Sequence, residues 1–247
     1  KLYKDGRIMA EHKSKHKGDW RDSNLQFQWG PHMSIGMVSD ELVNLLVEKG
    51  KEVRKPEFDW SHELAGKLKE EYTYNDVEGD HWNEWFVPLF HEHILNYINT
   101  LGPGRSRHIT TNAKNFTWDL TRLWVNYQGP GEYNPPHNHA GDLSFVIYPD
   151  IPQEMLDEAN AVADSDTADS NKTAPGSIVF EYGERKFGDF LSFCNTSCSL
   201  IPATGLCIIF PAYLTHHAYA FHSDVERVSV SGNVTFHWEQ NEEGVPL

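Results

Sequence analysis

The chain has 247 residues, 39% of them hydrophobic and 13% aromatic, a composition that supports a packed core and excludes a wholly disordered chain. It carries 21 basic and 36 acidic residues, a formal net charge of −15, which argues against a protein that binds nucleic acid or an anionic membrane. No apolar run approaches the roughly 20 residues of a membrane-spanning helix, and the three scattered cysteines predict no disulfide framework, so we expect a cytoplasmic protein (in the host cytoplasm, if the chain is viral).

The N-terminal part of the chain predicts an arm followed by helices. Residues 1–36 are polar and weakly periodic, and we expect them to form an extended arm. Residues 39–50, 59–72 and 82–98 have the apolar spacing of helices, and Pro88 predicts a kink or a break in the third. The helical region therefore covers residues 39–100.

From about residue 108 the pattern changes to strands separated by turns rich in Gly, Pro and Asn. The candidate strands cover residues 115–127, 143–148, 177–182, 199–203, 205–210 and 225–238. Residues 154–176 predict a short helix and an acidic loop, which we interpret as a surface insertion. Helices followed by strands predict an α+β protein, with a jelly roll over 108–240 inside a single domain spanning 37–247.

Two histidines, His137 and His139, stand two residues apart in GEYNPPHNHAGDLSFVIYP (131–149). On a strand, residues at i and i+2 point to one face, so the pair is either part of a metal site or a turn pair bonded to backbone. Further along, GLCIIFPAYLTHH brings His216, and Arg227 and Ser229 share one face of the last strand. A metal site of imidazole ligands with open coordination positions suits iron, and the fork of an arginine guanidinium suits a carboxylate ligand.

Four blocks, taken in order, resemble the 2-oxoglutarate- and iron(II)-dependent oxygenases, specifically the branch with an HxH motif found in bacteria and phages. The blocks are HNHAG (137–141), SFVIY (144–148), FPAYLTH (210–216) and RVSVSGN (227–233). The resemblance covers most of the chain beyond about residue 35. It implies a double-stranded β-helix (jelly-roll) core with N-terminal supporting helices.

Carried over by position, the resemblance implies that His137 and His216 are iron ligands. Most of the superfamily has Asp or Glu at the middle ligand position, where this chain has His139. A site of three histidines would be more positive by one charge unit. The alternative is that Asp142 supplies the carboxylate, but a residue five positions after His137 needs a loop reversal to reach the metal. We therefore favour His137, His139 and His216.

The resemblance also implies a 2-oxoglutarate site. Arg227 would bind the distal carboxylate of the cofactor, Ser229 or Tyr148 would hydrogen-bond the same group, and Asn126 would belong to the same site. The implied activity is hydroxylation of a C–H bond in a small-molecule or peptide substrate, with release of succinate and carbon dioxide.

Two other functions stay open at the level of the sequence. A cupin-type metal dioxygenase that needs no 2-oxoglutarate would keep the histidines but would have no use for Arg227. A non-catalytic jelly-roll binding module would need neither the histidines nor the arginine.

Overall fold

A computed structural model gives the fold of residues 2–4, 7–9, 30–63, 66, 68–74, 82–100, 116–163, 173–183 and 196–238. The chain divides into two compact units, Lys1–Gly30 and Pro31–Leu247. In the first unit, β1 (Leu2–Lys4) pairs antiparallel with β2 (Arg7–Met9). The predicted division into an arm (1–36) and a single oxygenase-like domain (37–247) stays a prediction.

The described part of the second unit contains ten strands in two antiparallel sheets. The strands are β3 (Ser34–Met37), β4 (Glu70–Thr73), β5 (Phe116–Gln128), β6 (Asn134–His137), β7 (Leu143–Asp150), β8 (Ile178–Glu181), β9 (Ser197–Leu200), β10 (Leu206–Pro211), β11 (Thr215–Ala218) and β12 (Arg227–Trp238). A six-stranded sheet has the order β3-β10-β7-β12-β5-β4, and a four-stranded sheet has the order β6-β11-β8-β9. Non-consecutive neighbours within both sheets are typical of a jelly roll.

The six-stranded sheet is covered on both faces, as β7 illustrates. Phe145 and Ile147 belong to an apolar cluster shared with the helices, whereas Val146 and Tyr148 belong to a second cluster shared with β8 and β10. Successive residues of a strand point to opposite faces, so one face of β7 packs on helices and the other faces the four-stranded sheet. The structure confirms the predicted α+β class with a double-stranded β-helix core.

Helix α1 (Asp40–Val53) confirms the first predicted helix. Its N-cap is Ser39, whose hydroxyl accepts a hydrogen bond from the Leu42 N–H at 3.2 Å. Leu42 and Leu46 are fully buried against the six-stranded sheet. The helix therefore supports the sheet through one apolar stripe.

The third predicted helix is broken near Pro88, as expected. It forms α2 (Trp82–Trp85) and α3 (Val87–Thr100), with a turn at Phe86. Pro88 is the second residue of α3, where a helix has no intrahelical acceptor for the N–H that proline lacks. The predicted short helix of the insertion is α4 (Gln153–Ala163), and residues 164–172 of the insertion lie outside the described residues. No helix in the described ranges is long and apolar enough to cross a membrane.

The predicted helix over residues 59–72 is wrong. This segment contains a short 3₁₀ helix (Ser61–Glu63) and then β4, which pairs with β5 through Tyr72 opposite Val125. The Ser61 hydroxyl donates to the Lys69 carbonyl and accepts from the Glu71 N–H, both at 3.1 Å, so it closes the loop that leads into β4. Pairing with β5 therefore overrides the local helical spacing.

A β-bulge in β5 determines which of its side chains face the four-stranded sheet. Arg122 pairs with Asn233 and Leu120 with Val234, so Thr121 is an extra residue in the pairing register, and its hydroxyl donates to the Asn233 carbonyl at 3.1 Å. Leu120 faces the helices before the bulge, and Leu123, Val125 and Tyr127 face them after it. The side chains that alternate with the latter three, from Arg122 to Gln128, consequently face the interior between the sheets.

Candidate active site

The three histidines predicted to bind metal lie together between the two sheets. His137 is the last residue of β6 and pairs directly with His216 on β11. His139 lies beyond the end of β6, not on the strand that the spacing predicted, and its backbone N–H donates to the Ala212 carbonyl at 2.9 Å. One ring nitrogen from each histidine lies within 4.8 Å of the other two. All three imidazoles are therefore within reach of one ion.

Backbone carbonyls orient two of the three rings. The Nδ1 of His137 lies 2.7 Å from the Pro135 oxygen, and the Nδ1 of His216 lies 2.9 Å from the Leu214 oxygen. A carbonyl can only accept, so Nδ1 carries the proton in both rings and Nε2 keeps its lone pair. The lone pair on Nε2 is what a metal ion needs.

Burial keeps these imidazoles neutral. Desolvation lowers the pKa of His216 to about 3 and the pKa of His139 to about 4, and it also lowers the pKa of His137. The three rings reinforce the effect, because a positive charge on one disfavours a positive charge on the next. Near neutral pH, all three rings are therefore present in the form that binds a metal.

Asp142, the alternative to His139, uses its carboxylate elsewhere. Its Oδ2 accepts a hydrogen bond from the Phe236 N–H at 2.7 Å, and the residue is exposed. Among the described residues, the group that could hold a metal ion consists of His137, His139 and His216, without Asp142.

Arg227 lies at a second position on the cavity wall and is 3% exposed. Its Nη1 donates to the Gly176 carbonyl at 2.7 Å, its Nη2 donates to the Gln128 side-chain oxygen, and its guanidinium carbon lies 5.6 Å from the centre of the Tyr148 ring. Its Nε is buried and has no hydrogen-bond partner among the described residues. Desolvation lowers the pKa of Arg227, although an arginine stays charged in proteins.

The other residues predicted to bind the cofactor line the same cavity. Ser229 follows Arg227 on the same face of β12, and burial raises the pKa of Tyr148 to about 12, so its hydroxyl keeps its proton. Asn126 lies opposite Ser229. In the amide orientation that satisfies its neighbours, Asn126 donates to Glu71 at 2.8 Å and accepts from the Trp124 indole at 3.2 Å. These bonds fix the Asn126 side chain in the wall.

The sequence gives no direct signal for two further residues of the wall. Gln128 is 1% exposed, accepts from Arg227, and donates to the carbonyls of Glu132 and Tyr219 at 2.7 and 3.3 Å. Its position two residues after Asn126 on β5 is the signal that could have identified it. His217, next to His216 on β11, also lines the cavity.

The cavity has a volume of about 640 Å³, within the range of small-molecule sites. It extends along β5 and β12 from Arg227 past the histidines to Arg122 and Thr235. The metal-binding group and the buried arginine therefore open into one space.

Comparison with known proteins agrees with this arrangement. Residues 122–233 match a family model described as "Putative 2OG-Fe(II) oxygenase". The matched segment includes the three histidines, Tyr148 and Arg227. No curated protein matches the chain.

Several solved structures are similar to the chain at low sequence identity. A prolyl hydroxylase from Trichoplax adhaerens in complex with a hypoxia-inducible-factor peptide is 10% identical, with a TM-score of 0.50, and the alignment covers 83% of this chain and 82% of that one. A prolyl-4-hydroxylase from Pseudomonas putida is 12% identical (TM-score 0.47; 84% and 92% covered), and the alpha-ketoglutarate-dependent epimerase SnoN is 16% identical (TM-score 0.49; 84% and 79% covered). The first of these shares the fold. The segment 122–233 is, in addition, similar to the family of putative 2OG-Fe(II) oxygenases.

Proposed function

We propose that the protein is a hydroxylase in which His137, His139 and His216 hold Fe(II) and Arg227 binds the distal carboxylate of 2-oxoglutarate. One observation carries the proposal: three neutral imidazoles and one buried guanidinium line the same cavity. Ser229 and Tyr148 are proposed to hydrogen-bond the same carboxylate.

The surroundings of Arg227 fit an anionic ligand. Its hydrogen-bond partners among the described residues, Gly176 and Gln128, are uncharged, and its Nε–H has none. A buried cation without a counter-ion is costly. The carboxylate of 2-oxoglutarate would supply both the missing charge and an acceptor for the Nε–H, in the fork geometry that arginine favours.

The histidines fit a divalent transition metal. Imidazole nitrogen is a good ligand for iron, and the bonds from Nδ1 to backbone carbonyls hold two of the lone pairs toward a common point. With Asp142 bonded to the Phe236 backbone, His139 is the better candidate for the third ligand.

Iron(II) and 2-oxoglutarate together supply the oxidising chemistry, in which 2-oxoglutarate and dioxygen are converted to succinate and carbon dioxide while an oxygen atom enters a C–H bond. His137, His139 and His216 would hold the iron, Arg227 would orient the distal carboxylate of 2-oxoglutarate, and the two sheets would shield the reacting centre from water. Tyr148 and the histidines keep fixed protonation states near neutral pH.

The substrate is proposed to be a small molecule or a peptide. A solved structure that shares this fold is a prolyl hydroxylase with a bound peptide, and the net charge of −15 disfavours nucleic acid. A cytoplasmic location is part of the same proposal.

Replacing Arg227 tests the cofactor site. Loss of a buried, hydrogen-bonded charge pair costs about 2 kcal/mol or more, so we expect Arg227→Ala to weaken 2-oxoglutarate binding roughly thirtyfold or more, measured by calorimetry. Iron content should stay at the wild-type level, and Arg227→Lys, which keeps the charge but not the fork, should bind with intermediate affinity. Unchanged affinity in Arg227→Ala would contradict the proposed role.

A further inference from the structure

A second arginine, Arg122, faces the cavity from β5. It is exposed toward the cavity mouth, and no described carboxylate forms an ion pair with it. The bulge at Thr121 reverses which face of the sheet alternate β5 side chains point to. Arg122 is therefore at the end of a series of β5 side chains that face the cavity, namely Arg122, Trp124, Asn126 and Gln128. Bulges next to active sites commonly re-aim a side chain in this way.

The surroundings of Arg122 belong to the metal side of the cavity. Its guanidinium carbon lies 5.8 Å from the centre of the Trp60 ring. The Trp124 ring lies 5.4 Å from the ring of His139, and the charge of Arg122 is close enough to His139 to lower the pKa of that imidazole. A group bound at Arg122 would therefore lie beside the proposed metal.

Arg122 is distinct from the proposed 2-oxoglutarate site. Arg227 pairs with Gln128, and Gln128 lies six positions after Arg122 on β5. At about 3.4 Å per residue this is roughly 20 Å along the strand. A five-carbon dicarboxylate held by Arg227 would leave Arg122 without an anion.

We propose that Arg122 determines substrate specificity and that the substrate carries an anionic group, a carboxylate or a phosphate, which binds Arg122 beside the ring of Trp60. The inference rests on the proposed function for the identity of the reaction. The anion site itself depends only on Arg122 and its neighbours, because planar anions match the guanidinium fork and the indole ring offers an apolar face.

The probes that test the site are benzoate, phenyl phosphate and the uncharged benzamide, titrated by ligand-observed NMR in the presence of saturating 2-oxoglutarate. We expect both anions to bind the wild-type protein and benzamide to bind at least fivefold more weakly. Arg122→Gln should weaken the anions about fivefold, the effect of one exposed ion pair of about 1 kcal/mol. The matched control, Lys51→Gln, removes an exposed positive charge on α1 and should change nothing. Thermal unfolding of each variant checks that it is folded.

The outcomes are distinguishable. Tighter binding of phenyl phosphate than of benzoate supports the site with a phosphate-bearing substrate, and the reverse order supports a carboxylate. The proposal is overturned if no probe binds in the presence of 2-oxoglutarate, if benzamide binds as well as benzoate, if Arg122→Gln keeps full anion affinity, or if Lys51→Gln loses as much. Failure of the proposed function would appear separately, as absent binding of iron or 2-oxoglutarate to the wild-type protein.

Discussion

At the scale of single residues, the backbone prepares two of the three imidazoles for a metal. His137 and His216 each place Nδ1 on a carbonyl two residues earlier in the chain, Pro135 and Leu214. The same local arrangement on two different strands keeps Nε2 unprotonated in both rings, and the Nε2 of His137 lies 3.5 Å from the Asn134 side-chain nitrogen.

The third ligand is tested by comparing His139→Ala with Asp142→Ala. We expect His139→Ala to lose most of its bound iron, because one of three ligand nitrogens is removed, and Asp142→Ala to keep the wild-type stoichiometry. The measurement is metal content after reconstitution and gel filtration. Asp142→Ala should instead be slightly less stable, since the Phe236 N–H loses its acceptor. Full iron retention in His139→Ala would sink the three-histidine assignment.

The residues named from the sequence are those that belong to short recognisable blocks, such as His216 in FPAYLTH and Arg227 in RVSVSGN. Gln128 and Arg122 belong to no such block. The hydrogen bond between Gln128 and Arg227 joins residues 99 positions apart, and the orientation of Arg122 depends on a bulge defined by its pairing with β12. Long-range contacts of this kind leave no local pattern in one sequence.

At the scale of elements, β12 and β7 pack too closely for a side chain at position 232. A Cβ added to Gly232 would lie 2.5 Å from the Phe145 ring and 2.7 Å from the Arg122 carbonyl oxygen. Because Gly232 has no side chain, the Phe145 ring and strand β5 can both approach it closely. The cavity wall depends on this close approach.

Gly232→Ala should destabilise the protein by about 1–3 kcal/mol, because the new methyl group overpacks a rigid region. Urea unfolding provides the measurement. Gly36→Ala is the matched control, since Gly36 lies on the edge strand β3, where an added Cβ would meet no described atom within 4 Å. It should change stability by less than about 0.5 kcal/mol. Equal effects of the two substitutions would refute the packing explanation.

Helix α4 is held to the loop before β12 by one carboxylate. Glu158 accepts hydrogen bonds from the backbone N–H groups of His222 and Ser223 and from the Ser223 hydroxyl, at 2.6–3.0 Å. Burial opposes ionisation, but these hydrogen bonds outweigh it and hold the pKa of Glu158 below its ordinary value of 4.5.

This contact predicts a pH-dependent stability difference between the wild type and Glu158→Gln. Because the pKa is lower in the folded state, the stabilisation is complete above pH 4.5 and is lost as the pH falls through the folded-state pKa. We expect the variant to be less stable by about 1 kcal/mol or less at pH 7, and the gap to close as the pH falls below 4.5 and through the folded-state pKa. A gap in the free energy of unfolding that stays constant from pH 7 to pH 3 would contradict this account.

Strands with a strong apolar pattern could be predicted from the sequence. Strands that exist only through pairing with a neighbouring strand could not. Strands β5, β7, β8, β10 and β12 follow the predicted ranges within a few residues. By contrast, β6 contains Pro135 and Pro136 and β11 has only four residues, so neither has a strand pattern of its own. Their pairing, His137 opposite His216, is a property of the four-stranded sheet as a whole.

At the scale of the whole molecule, the fold places positive groups inside an acidic protein. The chain carries a net charge of −15, yet its cavity contains Arg122 and Arg227 at separate positions on one wall. The net negative charge disfavours polyanions, whereas the two proposed anion sites lie at these arginines on the cavity wall. The sequence predicted the overall charge and one of these two arginines.

The most direct test of the central claim is an anaerobic titration of the protein with Fe(II) and 2-oxoglutarate, followed by visible absorption. The proposed function predicts a weak charge-transfer band that appears only when both are present. Iron binding without a band would instead favour a metal dioxygenase that does not use 2-oxoglutarate. No iron binding at all would favour a non-catalytic module, and either result would contradict the proposed function.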